Sequence, residues 1–289
     1  MITEIFTLPA LPPRPEDGHK GNFGKVLVVA GSLGMSGAAC LTATAALRCG
    51  AGLVQVAVPE QILPIVASFN PCYTTIPLPQ DEQGRISLDA IETVMQFANS
   101  ATTIVLGPGI GRSTALEQFV LRCYQEISIP MVLDADGLNS LVHVSTEQLT
   151  KRTAPAVWTP HPGEFRRLTQ HIVPQEVTSR IAQANWYAQQ VEQTIVLKGS
   201  GTVVSNGKAC YVNRTGNPGM ATGGSGDVLA GMIAGLLAIG LDDFAAARLG
   251  VWLHGTAGDF AADELGQNSL IASDLLNYLP RAFKKYSEG

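Results

Sequence analysis

The feature that most restricts the fold of this chain is an alternation of two patterns. A short run of β-branched and aliphatic residues ends in a turn-forming loop, and the loop leads into a helical pattern. Such runs occur at 26–30 (VLVVA), 53–58 (LVQVAV), 103–106 (TIVL), 131–133 (MVL), 157–159 (VWT) and 194–197 (TIVL). They are too short for helices and nearly continuous in apolar character, so they read as strands buried on both faces. Helical patterns lie between them at 36–49, closed by Gly50, and at 61–68, 88–97, 114–126 and 178–191. Buried strands alternating with helices imply an α/β fold, a mostly parallel central sheet with helices on both faces. After Lys198 the rhythm changes. Residues 202–205 and 210–212 flank Asn206-Gly207 and read as a hairpin, because Asn-Gly suits a tight primed turn. Helices follow at 227–239, 244–263 and 273–279. No linker, repeat or change of composition divides the chain, so residues 1–289 read as a single domain.

Composition narrows the function. With 46% hydrophobic and 15% charged residues, the chain can build a large core and is not disordered. Its formal net charge is −5 and it has no run of Lys and Arg, which argues against nucleic acid as a partner. The acidic, proline-broken start (MITEIFTLPALPPRPEDGHKG) lacks the pattern of a signal peptide, and no stretch is apolar enough to span a membrane. A cytoplasmic location is expected. The cysteines at 40, 49, 72, 123 and 210 are odd in number and set in apolar surroundings, so they read as buried reduced thiols.

In an open parallel sheet, ligands bind beyond the carboxyl ends of the strands. The unusual residues of this chain fall there: 31–38 (GSLGMSGA), 107–111 (GPGIG), 134–136 (DAD), 159–164 (TPHPGE) and 198–202 (KGSGT). Any one of these loops is explained by turn sterics alone, but so many at one sheet edge are not. The sharpest segment is 217–227 (NPGMATGGSGD), followed at once by an apolar helix. Gly223, Gly224 and Gly226 let backbone N–H groups converge on an anion at a helix start. Asp227 then falls in the first helical turn. As a simple first-turn or capping carboxylate it would stabilise the helix by about 1 kcal/mol. As a base beside a phosphate chain it would take a proton from a hydroxyl. Three glycines in four residues exceed what capping needs, and they favour the base.

This Gly-Gly-x-Gly-Asp loop resembles the anion hole and catalytic aspartate of ribokinase-like kinases. The wider set is similar to the NAD(P)H-hydrate dehydratases, in the same order along nearly the whole chain: His19-Lys20-Gly21 with Gly24, then 107–111, 134–139 (DADGLN), 159–164, 198–202 and 223–227. The resemblance implies a ribokinase-like fold without the N-terminal epimerase domain fused to some members. It implies dehydration of hydrated NADH or NADPH, the S form, driven by ADP (or ATP) with Mg2+. Bacterial stand-alone members suggest ADP as the donor. Ala38, Gly111 and His161 match substrate-contacting positions, and Asp227 lies between substrate and nucleotide. Lys198, Gly199, Ser200, Gly201, Thr202 and Gly226 match nucleotide-holding positions. Glu164 resembles a glutamate that organises Mg2+, often through water. A homo-oligomer, a tetramer, is implied as well.

Plainer readings stand beside these. His161, set between prolines, is otherwise an ordinary loop histidine, and Lys198 otherwise a solvated strand-end lysine. Asp134 and Asp136 suit a helix cap and a Mg2+ organiser equally. His254, inside an apolar helix, reads as a packed residue. Two other functions use the same features: a small-alcohol or vitamin kinase of the hydroxyethylthiazole kinase type, and a catalytically silent nucleotide-binding protein.

Overall fold

The computed structural model describes residues 2–288. The strands, in chain order, are β1 (Thr3–Glu4), β2 (Lys25–Val29), β3 (Leu53–Pro59), β4 (Thr74–Leu78), β5 (Thr103–Leu106), β6 (Met131–Leu133), β7 (Ala156–Trp158), β8 (Thr194–Leu197), β9 (Val203–Ser205) and β10 (Ala209–Val212). They form one sheet in the order β1-β10-β9-β8-β7-β6-β5-β2-β3-β4. Every neighbouring pair is parallel except those of β9, which runs antiparallel to β8 and β10. The expected parallel sheet and hairpin are both present. The tight turn is fixed by Asn206, whose Oδ1 accepts from the N–H groups of Lys208 and Ala209 at 3.0 and 2.8 Å.

The principal helices are α1 (Ser36–Arg48), α2 (Leu63–Phe69), α3 (Ile91–Ala98), α4 (Thr114–Glu126), α5 (Asp136–Asn139), α6 (Thr146–Leu149), α7 (Pro162–Thr169), α8 (Val177–Val191), α9 (Ser225–Ala238), α10 (Asp243–Leu265) and α11 (Ala272–Glu288). They split between the two sheet faces because strand side chains alternate. Val26, Val28, Val105, Val132 and Val196 face a core built with α1, α9, α10 and α11. Leu27, Val29, Ile104, Leu133 and Ile195 face a second core built with α3, α4 and α8. On the first face α1 and α9 pack backbone to backbone. A Cβ on Gly231 would lie 2.0 Å from the Thr42 carbonyl oxygen, and one on Gly235 2.6 Å from that of Ala46. Thr42 Oγ1 also donates to the Asp227 carbonyl at 3.1 Å, which fixes the middle of α1 against the start of α9.

Several elements differ from the sequence reading. β4 went unread because Pro77 interrupts it; at the sheet edge no partner needs that missing N–H. α11 runs through Pro280 to Glu288, well past the expected end at 279. α7 starts inside the segment read as a loop, with Pro162 in its first turn. Four cysteines are buried as expected, but Cys72 is exposed. Among the described residues no helix is long and apolar enough to cross a membrane.

Candidate active site

The strand order reverses between β2 and β5, and there the loops that follow them join. Gly31 N–H donates to the Pro108 carbonyl at 2.8 Å, and Ser32 Oγ donates to that of Gly109 at 2.8 Å. Such a switch point opens a crevice at the carboxyl edge of the sheet. Ala38, in the first turn of α1, lies against this junction; a Cβ on Gly109 would come within 2.8 Å of its own. Gly111 N–H donates to Asp136 Oδ2 at 3.0 Å.

The start of α9 faces the same edge. Gly224, at φ 91°, occupies the N-cap position with no side-chain cap. The N–H groups of Gly223, Gly224, Gly226 and Asp227 meet no acceptor among the described residues. By contrast α4, α6, α7 and α10 are capped by Ser113, Ser145, His161 and Asp242. An uncapped, glycine-lined helix start invites an anion. His254 Nε2 lies 2.9 Å from the Ser225 carbonyl oxygen and 3.3 Å from Ser225 Oγ. Burial lowers its pKa to about 4, so the ring is neutral and ties α10 to this loop. It is packed, as read, and also positions the loop.

Beneath the helix start lies a group of buried charges. Asp134 is 1% exposed, and its Oδ1 accepts from Lys198 Nζ at 2.8 Å and from Thr159 Oγ1 at 2.6 Å. A Cβ on Gly226 would be 3.0 Å from Lys198 Nζ, so glycine is what lets α9 close over this pair. Burial opposes charge on Lys198, but Asp134, Glu164 and Asp227 outweigh it and raise its pKa. Lys198 is therefore no solvated strand-end lysine. Asp227 sits in this field without capping its helix. Burial first, then the charge of Asp134, raise its pKa to about 7 against the counter-pull of Lys198. A carboxyl poised there exchanges protons near neutrality.

Neither aspartate of the 134–136 segment caps α5, whose N-cap is Ala135 without a side-chain bond. Ala135 has φ 53°, a conformation that costs a non-glycine residue about 1–3 kcal/mol. The turn it makes sends Asp134 toward Lys198 and Asp136 toward Gly111. His161 caps α7: its Nδ1 accepts from the N–H groups of Gly163 and Glu164 at 2.9 and 3.3 Å. Glu164 Oε2 accepts from His161 N–H at 2.8 Å, and Oε1 lies 3.4 Å from His161 Nε2. Burial, with Lys198 and Arg167, lowers the His161 pKa, which keeps the ring neutral with Nδ1 free to accept. Burial raises that of Glu164. No cluster of three or more His, Cys, Asp or Glu side chains among the described residues is arranged to hold a metal ion.

The loop 198–202 is the turn between β8 and β9. Thr202 Oγ1 donates to the Gly199 carbonyl at 2.8 Å and accepts from Gly199 N–H at 3.2 Å. Sequence reasoning missed its main support. Arg180 is buried and donates to the carbonyls of Ser200, Leu197 and Lys198 at 2.5, 3.1 and 3.1 Å. The signal was present, since Arg180 shares a helical stripe with Ala184, Tyr187, Ala188 and Val191. An arginine on a core-facing stripe must find acceptors.

A carboxylate near neutrality, next to an anion-seeking helix start at the switch point of a doubly wound sheet, defines an α/β protein of ribokinase-like architecture. A ribokinase-like superfamily protein from Enterococcus faecalis has this fold, with a TM-score of 0.79 and 27% identity over 96% of this chain and 92% of that one. Within that class the chain belongs to the NAD(P)H-hydrate dehydratase family, whose profile matches residues 26–281. It is 42% identical, over its whole length, to the bifunctional NAD(P)H-hydrate repair enzyme of Moorella thermoacetica, of which it covers 54%. The chain thus spans about half the length of such bifunctional relatives. It is 33% identical to the ADP-dependent (S)-NAD(P)H-hydrate dehydratase of Bacillus subtilis, over 98% of each chain. The crystal structure of the ADP/ATP-dependent NAD(P)H-hydrate dehydratase of that organism, co-crystallised with ATP and Mg2+, matches with a TM-score of 0.83 over 96% of this chain and 94% of that one.

Proposed function

We propose that this protein restores hydrated NADH or NADPH, in the S form, by dehydrating it at the expense of ADP, with ATP as an alternative donor. The observation that carries the reading is the placement of Asp227, a half-buried carboxyl beside an uncapped helix start with unpaired N–H groups, where desolvation and Asp134 raise its pKa to about 7. The substrate's ring hydroxyl is a poor leaving group. Asp227 accepts its proton as the oxygen attacks the terminal phosphoryl group of ADP, and AMP departs. The phosphorylated oxygen then leaves as phosphate, pushed by the ring nitrogen, and loss of a neighbouring ring proton restores the double bond. The chain's part is to position both nucleotides and stabilise charge.

Gly226 and the N–H groups around it receive the phosphate chain, and residues 198–202 (Lys198, Gly199, Ser200, Gly201 and Thr202) hold the nucleotide. Lys198 neutralises Asp134, which keeps the buried field from overwhelming the phosphates. Ala38, Gly111 and His161 line the substrate side. Mg2+ carried on a nucleotide keeps several waters and needs only one or two protein carboxylates, which suits a site with no chelating cluster. Glu164 and Asp134 are the carboxylates that would face it, and the ion would supply charge neutralisation on the phosphates. The proposed working form is a homo-oligomer, a tetramer, in the cytoplasm.

The test is product balance by phosphorus NMR on hydrated NADH with Mg2+ and ADP. NADH, AMP and inorganic phosphate in equal amounts support the reading. A stable phosphorylated alcohol from a hydroxyethylthiazole, hydroxymethylpyrimidine or pyridoxal, with hydrated NADH left untouched, would establish a small-alcohol kinase in its place.

A further inference from the structure

Two arginines at the same sheet edge are anchored in an unusual way. Arg112 follows the 107–111 loop; its side chain is 58% exposed and its Nε lies 3.5 Å from Asp136 Oδ1. Arg167, in α7, donates its Nε–H to Asn139 Oδ1 at 2.9 Å. Asn139 Nδ2 in turn lies 3.4 Å from Asp136 Oδ1. Asp136 and Asn139 are one turn apart on α5, so a single helical turn holds both guanidinium groups by their Nε ends. The outer Nη donors of both meet no hydrogen-bond acceptor among the described residues.

Three arginines, Arg85, Arg152 and Arg180, spend their Nη donors within the chain. Arg85 donates through Nε to Asp81 at 2.8 Å, through Nη1 to the Arg112 carbonyl at 2.7 Å and through Nη2 to Gln83 at 3.0 Å, so it braces the backbone of Arg112. Arg152 and Arg180 are engaged by backbone carbonyls. The free pair also borders the substrate side. Gly111 N–H shares Asp136 with Arg112. Arg167 Nη1 lies 3.7 Å from where a Cβ on Gly163 would stand, and its charge reaches the His161 ring. As plain surface cations the two would contribute little, and Arg167 would simply suit the last turn of α7. That reading leaves their shared anchorage on one turn of α5 unaccounted for.

We propose that Arg112 and Arg167 are specificity-determining forks that take the phosphate groups of a dinucleotide substrate, with Asp136 and Asn139 as their positioning residues. The proposal rests on the function proposed above. Guanidinium groups fixed at Nε present two parallel donors to phosphate oxygens, a geometry lysine cannot reproduce. They also place positive charge where a chain of net charge −5 would otherwise repel an anionic substrate.

The test compares the full chain with Arg112→Gln, Arg167→Gln, Arg112→Lys and Asn139→Ala. Each is assayed on hydrated NADH and on the hydrated reduced nicotinamide riboside, which carries no phosphate. Each Gln variant should lose about 10–100-fold in kcat/KM on hydrated NADH, the range for hydrogen bonds to charged groups. The riboside, the KM for ADP and the melting temperature should stay unchanged. Arg112→Lys should recover only part of the loss, and Asn139→Ala should show a smaller KM increase. Equal losses on both substrates, or an unchanged kcat/KM on hydrated NADH, would overturn the proposal. So would a rise in the KM for ADP alone, which would assign the forks to the nucleotide. If the wild type dehydrates neither substrate, the function itself fails. NADH binding followed by its fluorescence then still reads the forks, with a Kd raised by a similar factor or unmoved.

Discussion

Replacing Asp227 by Asn separates its chemical role from any structural one. In the folded chain burial and Asp134 hold this carboxyl near 7, against 3.8 for an unperturbed aspartate. A displacement of that size corresponds to about 4 kcal/mol between the protonated and charged forms. Because the folded pKa is the raised one, the protonated carboxyl's stability is fully present below pH 3.8. It is lost progressively as pH rises to 7 and above. Asparagine stays neutral throughout. Asp227→Asn should therefore melt higher than wild type at pH 8, by up to about 4 kcal/mol, with the gain shrinking toward zero near pH 4. A carboxylate that merely capped its helix would give the opposite sign, a loss of up to about 1 kcal/mol. Turnover should fall by about 10²–10⁴-fold, as expected for a lost general base. Nucleotide affinity should hold or improve once a negative charge beside the phosphates is gone. Melting curves across pH, nucleotide titration and turnover on one preparation check all three. A variant that melts lower at pH 8, or that turns over within a few-fold of wild type, would refute the assignment.

Three further outcomes follow from the same geometry. Millimolar ADP or ATP with Mg2+ should raise the melting temperature by mass action, and a melt unmoved by either would contradict the reading of the α9 start and the 198–202 loop. His161→Ala should raise the KM for hydrated NADH more than that for ADP, while removing the α7 cap at about 1 kcal/mol; equal loss for both ligands would make the residue structural only. Lys198→Met leaves Asp134 buried with Thr159 but no cation. That should cost about 3–5 kcal/mol of stability, and a neutral effect in denaturant titration would show that the pair is not buried as described.

Much of this was legible before the structure. The buried runs at 26–30, 103–106 and 194–197 needed only their apolar continuity to mark a parallel sheet, and glycine clustering marked the edge where the loops 107–111 and 198–202 gather. What stayed hidden was carried by contacts distant in sequence. Asp134 looked equally like a cap or a metal organiser, because nothing local shows that Lys198, 64 residues on, closes on it at 2.8 Å. Asp227 read as a base from its glycine loop, but its raised pKa comes from burial and Asp134, which no local pattern reports. Proline misled twice, hiding β4 and shortening α11, because edge position and tertiary packing override a local breaker. In sequence His161 reads as a substrate contact or an ordinary loop residue, yet it is also the cap of α7, because flanking prolines mask the start of that helix.

The most direct test of the central claim is recovery of reduced-nicotinamide absorbance from purified hydrated NADH, with ADP present or omitted. The account predicts recovery that requires the nucleotide, yields one AMP per NADH and is nearly abolished in Asp227→Asn. Recovery without nucleotide, or at an undiminished rate in that variant, would contradict it.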